Sequence, residues 1–497
     1  MSDYNKQKIV SSVPQKGFFG HPRGLLTLFF TEFWERFSYY GMRAILVFYM
    51  YYEVTRGGLG LPEHTALAIM SIYGSLVYMS GIIGGWLADR VFGTSRAVFY
   101  GGILIMFGHL ALAVPGSVAM FFVSMVLIVL GTGLLKPNVS SIVGEMYAEE
   151  DNRRDAGFSI FYMGINLGGF LAPLIVGTVG ERYNFHWGFA LAAVGMFLGL
   201  VVFVATRRPN LGLAGTIVPN PLRPSEKKQV LTRIILGAAI IAILAAISIR
   251  AGILTFDTFI RLVGILGILI PIAYFVVMYR SPKTTGIERS RVVAYIPLFI
   301  ASVMFWAIEE QGSTILANYA DKRTQLDFAG LHISPAWFQS LNPLFIIVLA
   351  PVFAWLWIKM GAREPSIPVK FSLALLFAGV SFLVILLPAY FGGSDRLVNP
   401  LWLVLSYLLV VIGELCLSPV GLSATTKLAP AAFLAQTMSL WFLSNAAAQA
   451  INAQIVKFYT PDNEMAYFGT IGVAALVLGA VLFMLSPSIQ RFMKGVR

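Results

Sequence analysis

Apolar segments recur along the whole chain, at 24–54, 64–89, 97–114, 118–146, 155–178, 186–206, 229–250, 259–279, 292–317, 337–359, 369–390, 400–427, 432–456 and 465–488. Each comes close to the ~20 residues a helix needs to cross a hydrocarbon core, so the pattern predicts about fourteen membrane-crossing helices. Several early segments run longer, as tilted helices that protrude from the bilayer do. The first segment breaks the apolar pattern. Between Thr31 and Arg43 it holds Glu32, Glu35, Arg36 and Arg43, and at about 100° per residue these share one helix face with Tyr39 and Tyr40. A charge at the bilayer centre costs about 2.5–3.5 kcal/mol on insertion scales, so this face is expected to look into a bundle or a water-filled cavity.

Composition supports that reading. The 497 residues are 57% hydrophobic and 12% charged, against about 25% charged in soluble domains. An all-α polytopic membrane protein follows. The single Cys416 excludes an internal disulfide framework, and the five His are scattered without metal-site spacing. The net charge of +12 reads as Lys and Arg retained in loops on one side rather than as a nucleic-acid surface. Lys6, Lys8, Lys16 and Arg23 precede the first segment, and Arg90 and Arg96 follow the second. Arg207, Arg208, Arg223, Lys227 and Lys228 follow the sixth; Arg280, Lys283, Arg289 and Arg291 precede the ninth; Arg491, Lys494 and Arg497 follow the last. With an even number of crossings all of these fall on one side, so both termini are expected in the cytoplasm. Asp321-Lys322-Arg323 is a local exception on the opposite side. No apolar h-region lies between Met1 and Gly20, so no cleavable signal is expected.

The chain repeats internally. Gly131 to Pro137 in the fourth segment has the Gly-to-Pro spacing of Gly413 to Pro419 in the twelfth, and Trp86 to Arg96 resembles Trp355 to Arg363. Both repeats relate a first group of six helices to a last group of six in the same orientation. Two parallel six-helix bundles describe the major facilitator architecture, with the segments at 229–279 as an inserted two-helix hairpin. The expected division is 1–208, 209–288 and 289–497.

Polar residues inside the segments are the candidates for chemistry. Gly85-Trp86-Leu87-Ala88-Asp89-Arg90 with Gly93 and Arg96 looks like the cytoplasmic loop motif of the major facilitator superfamily, or else it is a solvated, topology-setting charge cluster. Lys136 follows an unbroken apolar run, and Pro137 frees the carbonyl at position 133 to face a cavity; alternatively Lys136 snorkels to the interface. Small residues at 157, 164 and 168 suit a close helix crossing, while Asn166 either lines a cavity or bonds across that crossing. Glu309 and Glu310 are adjacent, hence about 100° apart on a helix, so one carboxylate is expected to face the pore. That carboxylate would either exchange a proton or form a structural ion pair with Arg43. Asn342 and Glu414 complete the set. Leaving Glu309 aside, three cations (Arg36, Arg43, Lys136) meet four anions (Glu32, Glu35, Glu310, Glu414). One bound proton neutralises the set, and a zwitterionic substrate keeps it neutral.

Together these residues resemble the proton-dependent oligopeptide transporter family, bacterial fourteen-helix type. Its ExxER motif stands as Glu32-Phe33-Trp34-Glu35-Arg36, and its second signature as Phe161-Tyr162-Met163-Gly164-Ile165-Asn166. Phe305-Trp306 through Gln311 and Gly413-Glu414 through Leu422 match further blocks. The resemblance implies a proton-coupled symporter importing di- and tripeptides by alternating access. It implies proton coupling and gating by Glu32, Glu35, Arg36, Arg43, Lys136 and Glu310. Arg43 and Lys136 would face the peptide carboxylate and Glu414 its ammonium. Tyr40, Tyr78, Asn166 and Asn342 would bond its backbone, and Trp306, Trp441 and Asn445 would line side-chain pockets. It further implies no cofactor beyond the coupling proton, no enzyme activity, no nucleic-acid partner, and a monomer in the lipid bilayer of the plasma membrane. Nitrate on the same fold is the main rival; an embedded enzyme or a channel finds no supporting constellation.

Overall fold

The computed structural model describes every residue except 1–2, 116–117, 149, 219, 254, 329, 394–395 and 497. Among the described residues fourteen long helices follow one another. They are α1 (Gly24–Tyr51), α2 (Glu63–Leu87), α3 (Thr94–Ala113), α4 (Val118–Glu145), α5 (Arg154–Ala172), α6 (Phe185–Leu211), α7 (Pro224–Arg250), α8 (Phe256–Arg280), α9 (Gly286–Glu309), α10 (Leu341–Met360), α11 (Ile367–Gly392), α12 (Leu401–Leu428), α13 (Leu434–Ile455) and α14 (Glu464–Phe492). Helices are what lipid permits, because each satisfies its own backbone polar groups. Fourteen alternating crossings put both ends of the chain at one end of the molecule, the terminal end below; the opposite one is the far end. There the chain forms a short helix, Ile315–Arg323, and a two-stranded ribbon, Asp327–Phe328 with Leu331–His332.

Twelve helical stretches are long and apolar enough to cross a membrane by length and composition. The two long helices outside that set are α1, which carries the charged face, and α13, an Ala-rich helix with Trp441, Asn445 and Gln449. Both run through the interior, and α1 is buried on almost every side.

The two groups of six, α1–α6 and α9–α14, pack in the same manner. Gly131 on α4 approaches α3 so closely that a Cβ there would lie 2.7 Å from the Gly101 carbonyl oxygen. Gly413 on α12 approaches α11 likewise, 2.8 Å from the Ala374 oxygen. Equivalent glycines of the sequence repeat thus make equivalent crossings, between the third and fourth helices of each group. The groups meet along two seams, α2 against α13 and α5 against α10.

Several local expectations change. The carbonyl at 133 does not face a cavity: it meets Gly84, whose Cβ would sit 1.9 Å from that oxygen, at the crossing of α2 and α4. Close backbone packing uses the freed space that Pro137 was expected to hand to solvent. The Asp89–Arg90 region is a π-turn, Ala88–Phe92, to which the linker after α6 is tied. Asn220 N donates to the Asp89 carbonyl (3.0 Å), Leu222 N to that of Arg90 (3.2 Å), and Ser95 N to that of Gly215 (2.8 Å). The exceptional charges at 321–323 are consumed locally. Lys322 pairs with Glu63 (3.2 Å) and Arg323 with Glu464 (2.9 Å), while Asp321 accepts from the Tyr51 and Tyr52 hydroxyls (2.7 Å each).

Candidate functional site

A cavity of about 900 Å³ lies between the two groups. It runs from the middle of the molecule to the terminal end, where Asp89, Ser141 and Gln436 line it. Towards the far end it is closed by bonds between the groups. Ser75 Oγ donates to the Ala446 carbonyl (2.9 Å), Gln339 to that of Ala44 (3.3 Å) and Ser340 to that of Phe170 (2.8 Å). Beyond these, the Trp337 indole donates to Thr178 Oγ1 (2.9 Å) and Ala336 N to Glu181 (3.2 Å).

The charged face of α1 splits into a self-contained cluster and one outward-reaching cation. Arg36 Nε lies 3.0 Å from Glu32 and 2.5 Å from Glu35, all three nearly fully buried. Its guanidinium stands 5.3 Å and 5.9 Å from the ring centres of Tyr39 and Tyr40. Glu32, Arg36 and Tyr40 line the cavity, while Glu35 sits behind them. Two turns on, Arg43 crosses to the other group, where its Nη2 forms a short ion pair with Glu310 and donates to Ser313 Oγ (2.8 Å).

Glu310 is held from both groups. Besides Arg43, it accepts from the Tyr78 hydroxyl of α2 (3.3 Å) and from Asn445 Nδ2 (2.9 Å) and Gln449 Nε2 (2.6 Å) of α13. Four donors on three helices therefore converge on one carboxylate. The sequence reading missed Gln449. Its signal was present: Trp441, Asn445 and Gln449 recur every four residues on α13. Gly74 makes the room, since a Cβ there would fall 2.5 Å from Gln449 Nε2.

Both adjacent carboxylates face the cavity, against the expectation of one. The α-helix ends at Glu309, and Glu310–Ser313 is a 3-10 turn, so the pair is splayed at a helix end instead of following the spacing of a continuous helix. Glu309 turns towards α10 and shares Asn342 with Glu414. Asn342 Nδ2 donates to Glu309 Oε1 (3.3 Å) and to Glu414 Oε2 (3.0 Å). An acidic corner thus faces the cationic side, where the Lys136 ammonium stands 4.3 Å from the Tyr78 ring centre. Lys136 lines the cavity and does not snorkel outward. Asn166 also lines it, and its amide bonds back to the Tyr162 carbonyl (2.9 Å). The crossing of α5 with α1 is left to Gly164 and Gly168, the latter with a Cβ position 2.4 Å from the Phe33 carbonyl oxygen. Trp306 and Trp441 form an edge-to-face pair (6.5 Å, 76°) in the wall. Opposed charges with aromatic sides in a volume of this size suit a small zwitterion.

Comparison with known proteins agrees with this geometry. The model of the POT family matches residues 95–473. A di-/tripeptide transporter of Lactococcus lactis subsp. cremoris is 48% identical over 494 residues, 97% of this chain and 99% of its own. An uncharacterized transporter of Bacillus subtilis, YclF, is 65% identical over the full length of both chains. A crystal structure of peptide transporter POT in complex with sulfate superposes with a TM-score of 0.96 at 78% identity, covering 99% of each chain. The matched region contains the Lys136, Glu310 and Glu414 blocks, and the full-length relatives extend over the Glu32–Arg36 stretch as well. The chain belongs to the POT family, a multi-pass membrane transporter of the major facilitator fold.

Proposed function

We propose that this chain is a proton-coupled symporter that imports di- and tripeptides by alternating access. One observation carries the reading: Glu310 is held by Arg43 and Tyr78 from one helix group and by Asn445 and Gln449 from the other. A proton on this carboxylate removes the charge that retains Arg43. Freed, Arg43 joins Lys136 in binding the peptide carboxylate, while Glu414, oriented by Asn342, takes the ammonium. Tyr40, Tyr78, Asn166 and Asn342 bond the peptide backbone, and Trp306, Trp441 and Asn445 accommodate its side chains. Glu32, Glu35 and Arg36 couple this event to the rocking of the two groups.

The terminal end is the cytoplasmic end, by the excess of Lys and Arg there. The cavity is then open inward and sealed outward, as after peptide release, with the Arg43–Glu310 pair re-formed. The functional division is 1–208, 209–288 and 289–497, in a monomer of the plasma membrane. One proton moving down about 100 mV releases about 2.3 kcal/mol, enough for roughly fifty-fold accumulation of a neutral substrate.

Uptake of labelled dialanine into proteoliposomes, with and without an inward proton gradient, tests the reading. Accumulation above equilibrium only with the gradient, competed by tripeptides but not by free alanine or nitrate, is the expected result. Folded protein that takes up nitrate and no dialanine would overturn it.

A further inference from the structure

Peptide transport by two groups of six helices gives the inserted pair, α7 and α8, no task. The pair is unequally attached. The described side chains of α7 are exposed or half-buried and none is fully buried, with Ile241 at 70% and Ile235 at 58% exposure. α8 is inlaid. Ile260, Gly264, Gly267, Pro271, Tyr274 and Met278 recur at steps of three and four and form one stripe. That stripe lies on α13. A Cβ on Gly267 would stand 2.8 Å from the Ala450 Cβ, Gln454 Nε2 donates to the Ile260 carbonyl (3.2 Å), and Thr437 Oγ1 reaches the Met278 sulfur (3.4 Å). α8 also touches α2 and α9, so it fills the outer side of the seam where the two groups meet.

A second observation concerns the cavity. Tyr274, on the α13-facing stripe, lines it together with Met438 and Phe442 of α13 and Tyr78 and Trp86 of α2. Among the described residues it is the one position of the inserted pair that does so. α2 and α13 meet directly along this seam, with Ser75 Oγ donating to the Ala446 carbonyl (2.9 Å), and α8 adds a second layer outside them from which Tyr274 still reaches the cavity. A helix serving only as a lipid-facing anchor has no need of a tyrosine directed into the substrate cavity.

We propose that α8 is a wall of the peptide cavity, and that Tyr274 is a specificity-determining residue whose ring limits the bulk of the peptide side chain lying against the seam. The inference rests on the peptide-transport reading above. Because α8 packs mainly on α13, the ring travels with the second group and keeps its place in the wall as the groups rock.

The test is competition against labelled dialanine uptake in proteoliposomes by unlabelled dialanine, alanyl-tryptophan and tryptophyl-alanine. The readout is the ratio of half-inhibitory concentrations, bulky over small. Tyr274→Ala should lower that ratio for at least one bulky peptide by about tenfold, the scale on which a shaped apolar pocket discriminates. Tyr274→Phe, which keeps the ring, should stay within about twofold of the unmutated ratio on the same scale. A purely structural residue would change total uptake and leave the ratio alone, so an unchanged ratio in Tyr274→Ala overturns the proposal. If that variant melts too low in detergent, Tyr274→Leu serves with the same criterion. Absence of peptide uptake by the unmutated protein would overturn the underlying reading instead, and is seen before any variant is made.

Discussion

Glu310 accepts from four side chains, and a single amide nitrogen of Asn342 serves both Glu309 and Glu414. These two clusters answer to different substitutions. Glu310→Gln keeps the shape and removes the exchangeable charge. Gradient-driven accumulation of dialanine should disappear, whereas exchange of labelled for unlabelled dialanine across the same vesicles should persist; retained uphill uptake would refute the coupling role. Glu414→Gln should act on the ammonium end. The unmutated protein is expected to prefer dialanine over its N-acetylated form by about 10–100-fold, the worth of one charged hydrogen bond, and the variant should bring that preference close to unity in a competition assay. At this scale the sequence was informative about which residues matter and less so about their partners. Glu32, Arg36, Arg43, Lys136 and Glu414 stood out because charge is expensive in lipid. Gln449 did not, since a neutral amide on an Ala-rich helix carries no comparable penalty and its partner lies on another element.

Elements were the most legible level, because the lipid thickness sets their length. All fourteen apolar segments correspond to long helices, most with ends displaced by a few residues; the ninth, expected at 292–317, runs Gly286–Glu309 and gives way to a 3-10 turn and a separate short helix. What sequence could not supply was the shape of the helix ends. The turn at Glu310–Ser313 lets two neighbouring carboxylates address different helices, and no periodicity forecasts that. Crossings were legible as small residues but not as pairs. Gly84 and Gly133 meet backbone to backbone, a contact that brings together two helices separated by a third. Gly84→Val should force α2 and α4 apart at a cost of about 1–3 kcal/mol or more, read as a lower melting temperature of the detergent-solubilised protein. The same change at Gly85, where nothing lies within 4 Å of a Cβ, should leave the melting temperature nearly unchanged.

For the whole molecule, closure of the far end depends on contacts between the two groups. Tyr51, the last residue of α1, and Tyr52 just after it both donate to Asp321, and Glu63 of α2 pairs with Lys322. Asp321→Ala removes both tyrosine bonds at once. With charge-assisted hydrogen bonds worth about 1.5–3 kcal/mol, the population open at the far end should rise about tenfold or more. Spin labels at Val54 and Leu331, exposed positions of the two groups at that end, should report a new, longer distance. An unaltered distance distribution would show that closure rests on the deeper contacts at Gln339, Ser340 and Trp337.

The ion pair between Arg43 and Glu310 spans 267 residues of sequence, and this bears on how the protein is made. Within α1, Arg36 is neutralised by Glu32 and Glu35 from its own turn, so that cluster is complete as soon as the helix exists. Arg43 has no such arrangement. At a synthesis rate of about 5–20 residues per second, its counter-ion emerges from the ribosome roughly 13–53 seconds later. The nascent first helix, already too polar to cross on hydropathy, must therefore wait in the insertion machinery or in a provisional embrace of its early neighbours. Biogenesis of this transporter is then expected to be committed late, when α9 arrives.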